Sequence, residues 1–471
     1  MPKLPAHPAR LHPAPHHPAR RTVLGWATLA SSGLLGLPGL AAAANAPDGA
    51  EPPRLALLLG NRAYPDGEDL PPIHKNVHDL RAALEQRGFK VTEGLDLDLP
   101  TARAVLTRFV ATLQAAPADA TVFFYFSGHG AQVDAENLLV PANVSPKSRA
   151  DVLSKSSMVL ITDVIGHLPH RPQGLTMAVV DACRTSLRSV AEGEGLNQVE
   201  APPGCLIAFA TGAGKPAIAP NDDTRNTFYT ASLVKLLNTA SGEISFSDLF
   251  RLVKADTQQT MLNHPVALLR QFAQFPFIAE NTQIRRRLAP RMASAAPPPP
   301  RQDDEASAWA RIEAQVWPAD VAKLAGEYLK NYPESPLLGS ATVAHDGATE
   351  AALILRRNNV RLYRSAFQAQ PELPPEVQPD IAKAGRGDKD AAARLGRYYS
   401  APLISYGKST SNPGRYEGWM QYAAALGNGI ASYDLALHYR RVEQPQLASE
   451  FEARARELGY TPPPSLDNTR K

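Results

Sequence analysis

The sequence predicts an α/β fold, a mostly parallel sheet flanked by helices, followed by an all-helical, repeat-like region. Three observations lead there. Residues 55–59, 120–126, 177–180 and 205–210 are short apolar runs without polar alternation, the pattern of strands covered on both faces. Helically spaced apolar residues separate these runs, as in units that build a parallel sheet. Residues 290–300 contain four consecutive prolines, and beyond them the patterns are helical.

Residues 1–19 are rich in proline and histidine, Arg20 and Arg21 are adjacent cations, and residues 22–44 carry no charged side chain before Ala44-Asn45-Ala46. Basic, then apolar, then small is the order of a cleavable signal peptide. The uncharged stretch is also about long enough for an uncleaved anchor, but its glycines, Pro38 and the Ala44/Ala46 site favour cleavage. The arginine pair with Thr22, Val23 and Leu24 resembles a twin-arginine signal, with Val23 where that family prefers phenylalanine. Residues 1–46 therefore read as a signal removed on export to the periplasm or the exterior, with no stable membrane span expected afterwards.

The remaining chain divides into an α/β domain at 47–284, a proline-rich linker at 285–304, a helical intermediate region at 305–380 and a second helical region at 381–471. A formal charge of +3 over 471 residues gives no reason to expect a nucleic-acid partner. The two cysteines, Cys183 and Cys205, are too few for a disulfide framework. Cys205 sits within an apolar run and reads as a small core residue.

Along the α/β domain, residues 55–59 predict a strand ending at Gly60-Asn61, and residues 77–87 predict a helix with Leu80, Ala83 and Leu84 on one face. Residues 101–113 predict an amphipathic helix and 120–126 a strand. A third unit pairs a helical pattern at 163–168 with a strand at 177–180. Residues 205–210 continue the sheet, and 228–237 and 246–254 predict helices. The polar, glycine- and glutamate-bearing stretch 185–203 reads as a mobile loop in which Arg184 and Arg188 mark a candidate autocleavage region.

Two motifs carry the chemistry: Tyr125-Phe126-Ser127-Gly128-His129-Gly130 and Val180-Asp181-Ala182-Cys183-Arg184. His129 and Cys183 each fall just beyond an apolar run, and ligands of parallel sheets bind beyond the carboxyl ends of strands. A peptide-cleaving thiol needs a base beside it and donors for the oxyanion. Cys183 is the candidate nucleophile, His129 the candidate base, and the backbone N–H groups of Gly130 and Cys183 the candidate oxyanion hole. The glycines around His129 are expected to allow tight turns and close substrate approach there. The sequence names no third catalytic member.

The chain here resembles the caspase-like peptidases, most closely the metacaspase-like or orthocaspase branch of the peptidase C14 family. The likeness rests on Leu57-Leu58-Leu59-Gly60-Asn61 with Tyr64, on 76–80, 124–130 and 181–184, and on 208–212. Cys183 lies 54 positions after His129, near the interval known for caspases. His78 stands where that branch commonly has asparagine, and Arg184-Thr185 follows the cysteine where many relatives differ. The resemblance implies a cysteine endopeptidase acting on proteins or peptides, with Asp79 and Asp181 at the base of the primary specificity pocket. A carboxylate pair there suits an arginine or lysine side chain and repels an acidic one. Asp79 also reads as a helix-start carboxylate.

The resemblance implies no cofactor; calcium activation occurs in some relatives, and Asp222-Asp223 is the acidic pair that would bear on it. No metal site is assigned. The C-terminal region, with echoes around Gly385, Gly427 and Gly459, resembles Sel1-like or tetratricopeptide-like repeats, which implies a surface for a protein partner. The alternative to an enzyme is a catalytically silent caspase-like scaffold that binds protein partners. The linker's composition leads to the expectation that a chain ending near residue 289 folds and works alone.

Overall fold

The computed structural model describes residues 51–183, 196–212, 217–288, 303–357, 359–400, 404–405, 408–409 and 411–462, with only the backbone of Cys183 and 404–409. Residues 1–46, read above as a signal, most of the linker, and Arg184 and Arg188 lie outside the described residues.

Eight strands follow in chain order: β1 (Arg54–Gly60), β2 (Phe89–Leu95), β3 (Thr121–Val133), β4 (Glu136–Leu139), β5 (Met158–Val159), β6 (Leu175–Cys183), β7 (Cys205–Phe209) and β8 (Phe277–Asn281). Between them lie α1 (Ile73–Gln86), α2 (Leu99–Gln114), α3 (Ala150–Ser156), α4 (Phe228–Thr239), α5 (Phe246–Leu262) and α6 (Ala267–Gln271). The sheet order is β2-β1-β3-β6-β7-β8, parallel except for β8, which runs antiparallel to β7. β4 and β5 extend antiparallel from the far half of β3.

Strand alternation divides the apolar runs between two layers. Leu55, Leu57, Leu59, Phe124, Phe126, Ala178 and Val180 pack with Val105, Leu106 and Phe109 of α2. Ala56, Leu58, Phe123, Tyr125, Met177 and Val179 pack with α1, α4 and α5. Burial on both faces is why these strands show no polar alternation. Each fully buried Leu or Phe contributes about 2 kcal/mol.

Several expectations change. β2 alternates in exposure and lies at the sheet edge, so its sequence gives a weak strand signal. Residues 160–167 form one π turn and one 3₁₀ turn, not a regular helix. Residues 196–203 are not a loose loop: Asn197, Gln198 and Ala201 are buried. His129 lies inside β3, and Cys183 is the last residue of β6, so neither is beyond its strand.

The helical region comprises α7 (Asp303–Ala314), α8 (Pro318–Asn331), α9 (Leu338–Leu355), α10 (Gln378–Gly385), α11 (Lys389–Ser400), α12 (Pro413–Ala425), α13 (Gly429–Arg441) and α14 (Pro445–Glu457). Three helices end alike. Gly387, Gly427 and Gly459 take positive φ, and the N–H groups of Asp388, Asn428 and Tyr460 reach back to Lys383, Ala423 and Ala455. This is the Schellman ending, which requires a left-handed residue. Gly385 closes α10 at a close approach, where a Cβ would lie 2.1 Å from the Val316 carbonyl.

The helical region covers the β8 edge with side chains in place of a further strand. Lys389 donates to Ile278 O at 2.8 Å, Asp390 accepts from Glu280 N at 2.9 Å, and Arg394 donates to Glu280 O at 2.7 Å. Arg251 of α5 pairs with Glu280 at 2.8 Å and Asp388 at 3.3 Å. Burial works to raise the Asp388 carboxyl, but Arg251, Arg394 and Lys383 hold it down to about 2. The independence expected of residues 47–289 is therefore not what the contacts describe.

Candidate active site

β3 changes partners at His129. Up to that residue it runs parallel to β6, ending in the register pair His129↔Cys183; from Gly130 onward it runs antiparallel to β4. Opening the sheet there takes a side chain from another segment. Tyr64 Oη accepts the His129 N–H at 3.0 Å and donates to Val140 O at 3.1 Å, while Val140 N–H donates to His129 O at 3.0 Å. The tyrosine hydroxyl thus occupies one rung of the ladder. Because hydrogen-bonded and non-bonded pairs alternate, Gly130, opposite Leu139, directs its N–H to the β6 side.

The flanking glycines serve close approach, not the turns expected from the sequence. A Cβ on Gly128 would lie 2.6 Å from Tyr64 Oη, and one on Gly130 would lie 3.0 Å from Ala182 Cβ. Tyr64 also meets the imidazole edge-on, with ring centroids 4.5 Å apart.

The His129 ring is buried, and its Nε2 lies 2.7 Å from the carbonyl oxygen of Glu68. A carbonyl only accepts, so Nε2 carries the proton and Nδ1 is the basic nitrogen of the neutral ring. The loop that supplies Tyr64 and Glu68 is itself tied down. Asp96 accepts from the N–H groups of Arg62 and Ala63, and Asn61 bridges Val140 O and Leu97 N. Glu68 further pairs with Lys147.

The two predicted pocket carboxylates are held by consecutive residues before α4. Asn226 Nδ2 donates to Asp79 Oδ2 at 2.9 Å, and Thr227 Oγ1 donates to Asp181 Oδ2 at 2.5 Å. Thr227 also caps α4, and Asn76 of α1 holds it in place through its N–H and hydroxyl. Asp181 Oδ2 takes a second bond from Thr230 at 2.6 Å, whereas its buried Oδ1 has no partner among the described residues, and neither does buried Asn226 Oδ1. Burial pushes the Asp181 carboxyl above its ordinary value, against the bonds from Thr227 and Thr230.

Asp79 differs. It lies in the middle of α1, not at its start, and its Oδ2 pairs with Lys75 at 2.8 Å. Burial works to raise its carboxyl, but hydrogen bonds from Lys75, Asn226 and His78 outweigh that and lower it.

Residues 53–287 match the family model of the caspase domain, Peptidase_C14. They are a caspase-like domain of the peptidase C14 superfamily. Similar solved structures include caspase-1 from Spodoptera frugiperda, 15% identical with a TM-score of 0.38, covering 51% of this chain and 92% of that one. The structure of pro-sf-caspase-1 is 14% identical with a TM-score of 0.38, covering 50% and 94%. No curated protein matches the chain.

Within the caspase-like domain, the roles of Lys75, Asn226, Thr227, Thr230 and the Glu68 carbonyl were not read from the sequence. Thr227, directly before an apolar helical pattern, is the one with a local signal, that of an N-cap. Asp222 is engaged by Arg225 and Thr224, which does not suit a hard cation. Among the described residues no group of three or more His, Cys, Asp or Glu is gathered for a metal. No helix among them is long and apolar enough to cross a membrane.

Proposed function

We propose that the caspase-like domain is a cysteine endopeptidase cleaving after arginine or lysine. The observation that carries this reading is the His129↔Cys183 register pair at the end of the parallel sheet, one residue before the Gly130 N–H turns to the β6 side.

In this mechanism, His129 Nδ1 takes the Cys183 thiol proton, and the sulfur attacks the scissile carbonyl carbon. The N–H groups of Gly130 and Cys183 hold the oxyanion. His129 then protonates the departing amine, and water hydrolyses the thioester with His129 again as base. The Glu68 carbonyl keeps the ring in the tautomer that does this. Asp181 Oδ1 and Asn226 Oδ1, buried acceptors without donors among the described residues, suit the N–H groups of a substrate cation, and Asp79 adds charge.

The reading extends to the rest of the chain. The order of residues 1–46 supports an exported protein, periplasmic or secreted, and the three alike helix endings support Sel1-like hairpins. Turnover of peptides with Arg, Lys or Asp before the cut tests the function. Arg and Lys peptides should be cleaved, Asp peptides should not, and C183A and H129A should each abolish cleavage and labelling by an electrophilic Arg peptide. Labelling that survives C183A in folded protein removes the assigned nucleophile, and a folded chain without turnover leaves the binding-scaffold reading.

A further inference from the structure

We propose that Asn197 is a positioning residue for the chemistry at His129, and that the segment after α14, Leu458 to Thr461, sets it in place. The inference rests on the proteolytic reading above and goes beyond its catalytic and pocket residues.

Asn197 spends its whole hydrogen-bonding capacity on two distant parts of the molecule. Its backbone N–H donates to Asn137 Oδ1 at 2.6 Å and its carbonyl accepts from Asn137 Nδ2 at 3.0 Å. Its Nδ2 donates to Ala135 O at 3.1 Å and Thr461 O at 2.9 Å, and its Oδ1 accepts the Thr461 N–H at 2.9 Å. Aspartate would lose both donors, and glutamine would overreach. The adjacent Gln198 completes the grip: Oε1 accepts from Gly429 N at 2.9 Å and Nε2 donates to Leu458 O at 2.7 Å.

Asn137 belongs to β4 and Ala135 to the turn of the hairpin, and β4 pairs with the half of β3 that starts at Gly130. Leu196 lies where a Cβ on Gly130 would come within 3.3 Å of it. Asn197 thus joins the segment that follows α14 to the hairpin that carries the base and an oxyanion donor. Asp79 and Asp181 are held elsewhere, by α1 and the start of α4. Loosening Asn197 should therefore disturb the chemical step and spare side-chain binding.

The test uses the full chain, N197A, a chain ending at Glu457, and the two changes combined, with an Arg peptide as substrate. Each single change should lower kcat about tenfold or more, as small misplacements of catalytic groups do, with KM within about twofold. The combination should cost no more than either alone, because both break one linkage. Losses that multiply, an unchanged kcat, or a rise confined to KM would overturn the proposal. If the shortened chain does not fold, T461P, which removes only the Thr461 N–H from this grip, replaces it. Hydrogen exchange of the hairpin amides at 130–139 reads the linkage without catalysis. It should accelerate in each variant, and unchanged exchange overturns the inference even where wild-type protein cleaves nothing, an outcome that would separately defeat the function.

Discussion

Thr227 donates to Oδ2 of Asp181, while Oδ1 of the same buried carboxylate accepts from no described residue. A half-satisfied carboxylate in a desolvated place favours its neutral form, and burial accordingly raises its pKa. A raised folded pKa means that the stability it contributes is present below the unfolded value, about pH 4, and is lost as pH rises through the folded value. D181N, fixed neutral, should match wild-type thermal stability near pH 4 and exceed it near pH 8. A gap independent of pH would refute this, as would Arg-peptide cleavage by D181N at the wild-type KM.

Lys75 pairs with Asp79, the carboxylate assigned to the substrate cation, so the two cations compete. K75M should lower KM for Arg peptides by up to about fivefold, the scale of a partly exposed ion pair. Steady-state kinetics at low salt would show it, and a higher KM would place Lys75 on the side of binding.

Cys205 is a free buried thiol pushed up to about 11 by desolvation. Thiolate is the reactive form, so iodoacetamide at pH 7.5 should spare Cys205 until the protein unfolds. C205A should keep most of its peptide turnover. Peptide mapping after brief alkylation decides this, and prompt labelling of Cys205 in the native protein would contradict it.

Tyr64→Phe removes the hydroxyl between the His129 N–H and the Val140 carbonyl. Buried polar groups left without partners cost about 1–3 kcal/mol each. The variant should melt several degrees lower and lose kcat more than KM. Equal melting temperature and equal kcat would show that the rung is dispensable.

A chain of residues 51–288 should be strongly destabilised or self-associating, because Ile278, Glu280 and Thr282 lose the side chains that satisfy the β8 edge. Circular dichroism melts and light scattering would check this. A monodisperse monomer with the full-length melting temperature would instead vindicate independence of the peptidase-like domain.

The sequence by itself marked the central strands β1, β3, β6 and β7, because continuous apolar runs at 55–59, 120–126, 177–180 and 205–210 are what burial on two faces demands, and helical spacing marked α1, α2, α4 and α5. It also picked out His129 and Cys183, and the charge type of Asp79 and Asp181. Tertiary structure decided the contacts around them. Tyr64 reaches His129 across 65 positions and Asn197 reaches Thr461 across 264, and neither pairing leaves a periodic trace. It also decided that Gly128 and Gly130 admit neighbouring side chains, and that Gly387 takes the left-handed turn after α10. The physical reason is range: solvent exclusion writes its pattern locally along the chain, whereas hydrogen-bond partners are settled only when strand register brings distant segments within about 3 Å.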